Sequence, residues 1–189
     1  MSNLKVSTRL ALLTGVLALL LAGIGGLGLF GIFRANDALQ SVYEDRTVPT
    51  GQLGDIRALI LANRLAIAVA LVTPTPEVIA ASSTTVDTNI ATISKIWDSY
   101  MAKHLTADEA TMAQAFADSR KKFVQEGLKP AVAALRANNL PEAQRIVTER
   151  VRVLYEPVAR DVGVLVQLQV DEAKRQYEDA AERYAVIRM

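Results

Sequence analysis

The sequence has no cysteine, a single histidine and few aromatic residues. Without cysteine, a disulfide framework and thiolate metal sites are excluded. Aromatic residues make up 5% of the chain while hydrophobic residues make up 51%, so alanine, leucine and valine carry the apolar content. Only two of the ten glycines follow Gly54. That profile favours packed helices over a β-sandwich, whose strands draw on aromatic and β-branched residues. An excess of one charge sign is also lacking: the net charge is +1. Lys5, Arg9 and Arg34 give the first 34 residues +3 with no acid, and the remainder carries 18 bases against 20 acids. Neither part has the basic stripe of a nucleic-acid binder, so no nucleic-acid partner is expected.

Catalytic patterns are missing as well. There is no GxSxG, no glycine-rich phosphate loop and no HExxH. His104 falls at an expected helix end, where only Asp108 stands at metal-ligand spacing. The adjacent acids Asp171/Glu172 and Glu178/Asp179 point apart on a helix and read as a solvated face. The expectation is a protein that is not an enzyme, with no catalytic residues, no metal and no cofactor.

What is present begins with an apolar run. Leu10 to Phe33 is 24 residues without a charge. As a helix it would span about 36 Å, more than the ~30 Å hydrocarbon core of a bilayer. Signal-peptide cores are shorter, ~7–15 residues, so a retained transmembrane anchor is the favoured reading. A cleaved signal is the competing one, with Gly23-Ile24-Gly25 and Gly26-Leu27-Gly28 offering small residues to a peptidase. Lys5 and Arg9 on the N-terminal side keep that end cytoplasmic and send the rest outward. The domain expectation is a tail over residues 1–9, a span over 10–33 and an external domain over 34–189, the chain ending before a second span.

The external part reads as all-α. A first helix runs from about Asp37 to Val72, with Leu53, Ile56, Ile60, Asn63, Ile67 and Leu71 at helical spacing and Pro49 and Gly51 as a kink. Thr73-Pro74-Thr75-Pro76 ends it. A second helix runs from near Glu77 to about Lys103 with Ile79, Val86, Ile90, Ile93, Trp97 and Tyr100 on one face. Thr106 and Glu109 resemble a capping box for a third helix, which reaches about Ala137 with Lys129-Pro130 interrupting it. Asn138 and Asn139 can end that helix, and Pro141 opens a fourth whose Val147, Val151, Leu154, Val158, Val162, Leu165 and Leu168 step by three or four. Long, short, short, long lengths with short turns give an up-down-up-down antiparallel four-helix bundle behind one transmembrane helix.

Recognition residues are sought by height along the helices. Arg64 lies nine residues below the tip of helix one. Thr84, Thr88 and Thr92 form a line on helix two at similar depth. Arg120, Lys121, Lys122 and Phe123 lie about fifteen below the tip of helix three, and Thr148, Arg152 and Tyr155 some seven to fourteen below that of helix four. Arg64, Thr88, Arg120, Lys121, Thr148, Arg152 and Tyr155 are therefore the expected ligand-binding set. Arginine forks and hydroxyls suit a carboxylate. The competing arrangement pairs these arginines with surface acids such as Glu149 and Glu156.

"YEDRTVPTGQLGDIRALILANRLAIA" (43–68) and "LYEPVARDVGVLVQLQ" (154–169) are similar to the helix-one and helix-four patterns of a four-helix-bundle sensor family. The chain resembles the sensor half of a bacterial methyl-accepting chemotaxis receptor; the same sensor also occurs on histidine kinases and cyclases. The resemblance implies a periplasmic ligand-binding domain anchored in the inner membrane, and a homodimer through helix one. It also implies signalling by displacement of helix four, and cytoplasmic chemotaxis proteins engaged through regions outside this chain. In aspartate-binding members an arginine matching Arg64 contacts the ligand carboxylate, and two more arginines follow five and nine residues later. Those positions are Val69 and Thr73 here. The resemblance therefore points to another small carboxylate, such as a di- or tricarboxylate.

Overall fold

The computed structural model describes residues 6–42, 47–103 and 105–187, so the expectation for His104 falls outside it. All regular structure among the described residues is helical. The chain divides into two compact units between Glu44 and Asp45.

The first unit holds α1, Val6–Val42. Its stretch Leu10–Arg34 is long and apolar enough to cross a membrane, with a mean hydropathy of 2.4 and no part buried. The Thr14 hydroxyl donates to the Leu10 carbonyl at 2.9 Å. That bond satisfies the hydroxyl within the helix itself. At the far end the Arg34 guanidinium lies 5.1 Å from the Phe30 ring centre.

The helix expected over 37–72 belongs to both units. Residues 37–42 are in α1, and α2 is Val48–Val72 with Pro49 in its first turn. Pro49 stands in the first turn of α2, where a missing amide is tolerated, and residues 43–46 of the expected helix lie outside the described residues. α3 is Pro76–Met101, capped by Thr75, whose side chain accepts from the Val78 amide.

α4 is Ala107–Lys122, and Thr106 accepts from the Glu109 amide at 3.2 Å. Only half of the expected capping box forms. The Glu109 carboxylate turns inward, accepting from the Tyr100 hydroxyl at 2.5 Å and from Gln169 Nε2 at 2.6 Å. The break expected at Lys129-Pro130 is a π-helical segment, π1, Phe123–Leu128, followed by α5, Lys129–Arg136. Pro130 has no amide for the carbonyl four residues back, and the wider π turn accommodates that loss.

Asn138 has φ of 52°, the left-handed conformation asparagine tolerates at helix ends. Asn139 caps α6, Leu140–Ile146, by accepting from the Glu142 amide. Helix four is not the regular rod expected: α6 passes through a second π segment, π2, Val147–Val151, into α7, Arg152–Ile187, with Pro157 inside it.

In the second unit α2 packs chiefly on α3, α4 on α7, α2 on α7, and α3 on α5. This closes an antiparallel ring of four: α2; α3; α4–π1–α5; and α6–π2–α7. The expected core residues of α2 and α3 are buried except Leu71 and Ile90, which are half-buried. Asn63 is 0% exposed, and neither of its amide atoms has a hydrogen-bond partner among the described residues. The two π segments pack together: a Cβ built on Gly127 would lie 3.5 Å from Val151 Cγ2.

Candidate functional site

The α2–α7 edge of the ring carries a groove of about 220 Å³, lined by Arg64, Ile67, Ala68, Val147, Thr148, Val151 and Arg152. Arg64 and Ala68 are one turn apart on α2, so they share its face. The π2 segment supplies Val147, Thr148 and Val151, and Arg152 opens α7. The Arg64 guanidinium sits over the Tyr155 ring, 3.9 Å from its centre. Such a cation–π contact contributes ~0.5–2 kcal/mol and holds the side chain in place without neutralising it. Tyr155 in turn packs against Phe123, ring centres 6.3 Å apart.

Charge is left over in this groove. Arg64 has no carboxylate partner among the described residues, and Arg152 donates only to the Thr148 carbonyl, at 3.4 Å. The competing expectation, that Arg152 pairs with Glu149, fails for a visible reason. Glu149 is taken by Arg145 at 2.6 Å, which also holds Glu142 at 2.7 Å. Between those two acids the Arg145 guanidinium is held above its usual range, chiefly by its hydrogen bond to Glu142. Arg136 and Arg160 are also paired with acids.

The seven expected site residues do not form one site. Arg64, Thr148, Arg152 and Tyr155 come together on the α2–α7 edge. Arg120 and Lys121 line a different groove of about 270 Å³, on the α3–α4 edge, with Ser94, Trp97, Gln125 and Lys129. Height along the helices fixes a level in the bundle but not a side of it, and these residues share a level on different edges. Thr88 is exposed and lines neither groove. Thr84 closes its hydroxyl on the Ala80 carbonyl and lines a third, larger cavity of about 510 Å³ near the 73–75 turn. Arg136 in that cavity is already bound to Asp87 at 2.6 Å, so size does not make it the better anion site.

Three features escaped the sequence reading. Ile67 and Val151, placed in the core stripe, also floor the groove. The turn from α-helix to π-helix across Val147–Val151 leaves no pattern in the sequence. A second apolar line on α2, Leu61, Leu65, Val69 and Val72, is exposed. Its spacing of four, four and three was legible, but the stronger buried stripe masked it.

Residues 1–173 match the family model described as Tar ligand binding domain homologue. Comparison with curated proteins and with solved structures gives no match.

Proposed function

The chain belongs to the Tar ligand-binding domain family, and on that premise we propose that its bundle takes a small carboxylate into the α2–α7 groove. The family is one of chemoreceptor ligand-sensing domains, not of enzymes. The observation that carries the carboxylate reading is Arg64, fixed over Tyr155 with no acid of its own and facing Arg152 across the groove. Two arginines with no acid partner among the described residues suit a di- or tricarboxylate, since each can take one carboxylate in charge-assisted hydrogen bonds. Thr148 lines the same groove, its hydroxyl donating to the Gln144 carbonyl at 2.9 Å. A volume of about 220 Å³ suits a metabolite-sized acid, being below the ~300–1,000 Å³ of drug-sized pockets.

In this reading α1 stays in the inner membrane as an anchor and the bundle stands in the periplasm. Lys5 and Arg9 on the N-terminal side and the length of the apolar stretch support that placement. The exposed line Leu61, Leu65, Val69, Val72 supports a homodimer through α2. Arg64 and Ala68 border this line, so the second copy would stand at the groove's rim. Ligand held between α2 and α7 favours one position of α7 over another, and shifts that equilibrium only by its difference in affinity for the two. Output through cytoplasmic chemotaxis proteins belongs to regions outside these residues.

The test is thermal unfolding of the 189-residue chain in detergent against a series of amino acids and di- and tricarboxylates. A specific ligand at a hundred times its Kd stabilises by about 2.7 kcal/mol. Arg64→Ala is expected to abolish that stabilisation with helical content unchanged. Stabilisation that persists in Arg64→Ala, or none with any acid, removes the reading.

A further inference from the structure

We propose that the bundle carries a second anion site, in the groove between α3 and α4–π1, and that it takes a small organic anion with an apolar body. The central observation is Arg120. It is half-buried, and its Nη2 donates to Ser94 Oγ at 2.5 Å and to the Ile90 carbonyl at 3.4 Å. Both acceptors are neutral. Nε and Nη1 make no hydrogen bond among the described residues, and no acid reaches ion-pair distance. Burial pushes this guanidinium below its usual pKa, with Asp98 acting the other way from a distance. An arginine stays charged regardless. A half-buried cation held by two neutral oxygens, with two donor nitrogens uncommitted among the described residues, is poised for an incoming anion.

The rim strengthens the sign of the site. Lys121 and Lys129 line the same groove, and neither has an acid partner among the described residues. The floor is different in character. Ile90, Trp97 and Val124 present apolar surface beneath the cations. Trp97 is fixed there by a stack on Tyr100, centres 5.2 Å apart, and by Phe116 at 4.8 Å. A bare inorganic ion would leave that floor wetted, whereas a ring or branched chain bearing one carboxylate would cover it. At about 270 Å³ the groove admits a body of roughly one ring, short of the ~300–1,000 Å³ that drug-sized ligands need. Its wall includes Val124 and Gln125 of π1, and π segments are frequent at functional sites. The α3–α4 edge is opposite the α2–α7 edge in the ring, so the two grooves fill independently and no single small ligand bridges them.

Isothermal titration calorimetry of the full chain in detergent tests this, with benzoate as probe and acetate and inorganic phosphate as comparisons. Saturable benzoate binding is expected in the wild type and, unchanged, in Arg64→Ala. Arg120→Ala is expected to weaken it by about tenfold or more, and Lys121→Gln by about threefold. Acetate and phosphate are expected to bind at least about tenfold more weakly than benzoate, lacking the body that covers the floor. Benzoate binding that survives Arg120→Ala, absence of saturable binding, or phosphate binding as tight as benzoate overturns the proposal. Should Arg120→Ala lose its helical signal, Lys121→Gln and Ser94→Ala decide, and wild-type affinity in both overturns it. Loss of a di- or tricarboxylate response in Arg64→Ala bears on the α2–α7 groove alone, so the two readings fail separately.

Discussion

Glu109 shows how a single side chain departs from its local pattern. Its spacing from Thr106 suits a reciprocal cap, yet it is only 4% exposed and serves Tyr100 and Gln169 instead. A buried carboxylate needs hydrogen-bond donors, and these come from α3 and α7, 9 and 60 residues away in sequence. Tyr100→Phe removes one donor while keeping the ring on Trp97. It is expected to lower stability by about 1–3 kcal/mol, measured by urea unfolding; an unchanged midpoint would show that the carboxylate finds another donor. Asn63 is the opposite case. Its place in the buried stripe was legible from spacing, but its lack of a partner among the described residues was not, because a partner depends on neighbours that only the packed bundle supplies. For Arg152 the sequence offered two acids, Glu149 and Glu156, and it pairs with neither among the described residues: Glu149 is engaged by Arg145, and Arg152 donates to the Thr148 carbonyl.

At the level of elements, the positions of four antiparallel helices followed from apolar spacing and from the turn residues at 73–76 and 138–141. Boundaries followed where a cap or proline marked them, as at Thr75, Thr106 and Asn139. The π segments did not follow, since one extra residue per turn changes no residue type. Their contact has a measurable signature. A methyl group on Gly127 would meet Val151 and Leu154 at 3.5–3.8 Å, ordinary van der Waals distance. Gly127→Ala is therefore expected to raise stability by about 0.4–1 kcal/mol by restricting the unfolded chain. Gly127→Leu, with no room past Val151, is expected to lower it by about 1–3 kcal/mol. Thermal denaturation of both variants checks the pair, and a destabilised alanine variant would mean that Val151 leaves no room for a methyl group at Gly127.

For the molecule as a whole, the division into an apolar helix and a polar-faced bundle was plain from charge alone, since Leu10–Phe33 has none. The grouping of site residues was not, because sides of a bundle are set by helix rotation, which height along the helix does not encode. Association is the other property of this scale. Leu65 is 65% and Val72 83% exposed, large apolar side chains that a lone bundle in water would not gain by presenting. Leu65→Glu is expected to shift the full chain in detergent from dimer to monomer in sedimentation equilibrium while leaving helical content intact. A wild-type chain already monomeric at ~10 µM, well above the Kd of a nanomolar dimer, would count against the α2 interface. Trp97 adds an optical consequence. It is the only tryptophan in the chain, and it lies under the α3–α4 groove, while the aromatic ring of the α2–α7 groove is a tyrosine. Indole fluorescence excited at the red edge, where tyrosine does not absorb, therefore reports directly on the α3–α4 groove and sees the α2–α7 groove only through the packing of α7. An emission change on adding benzoate that is lost in Arg120→Ala reports filling of the α3–α4 groove, with no label attached to the protein.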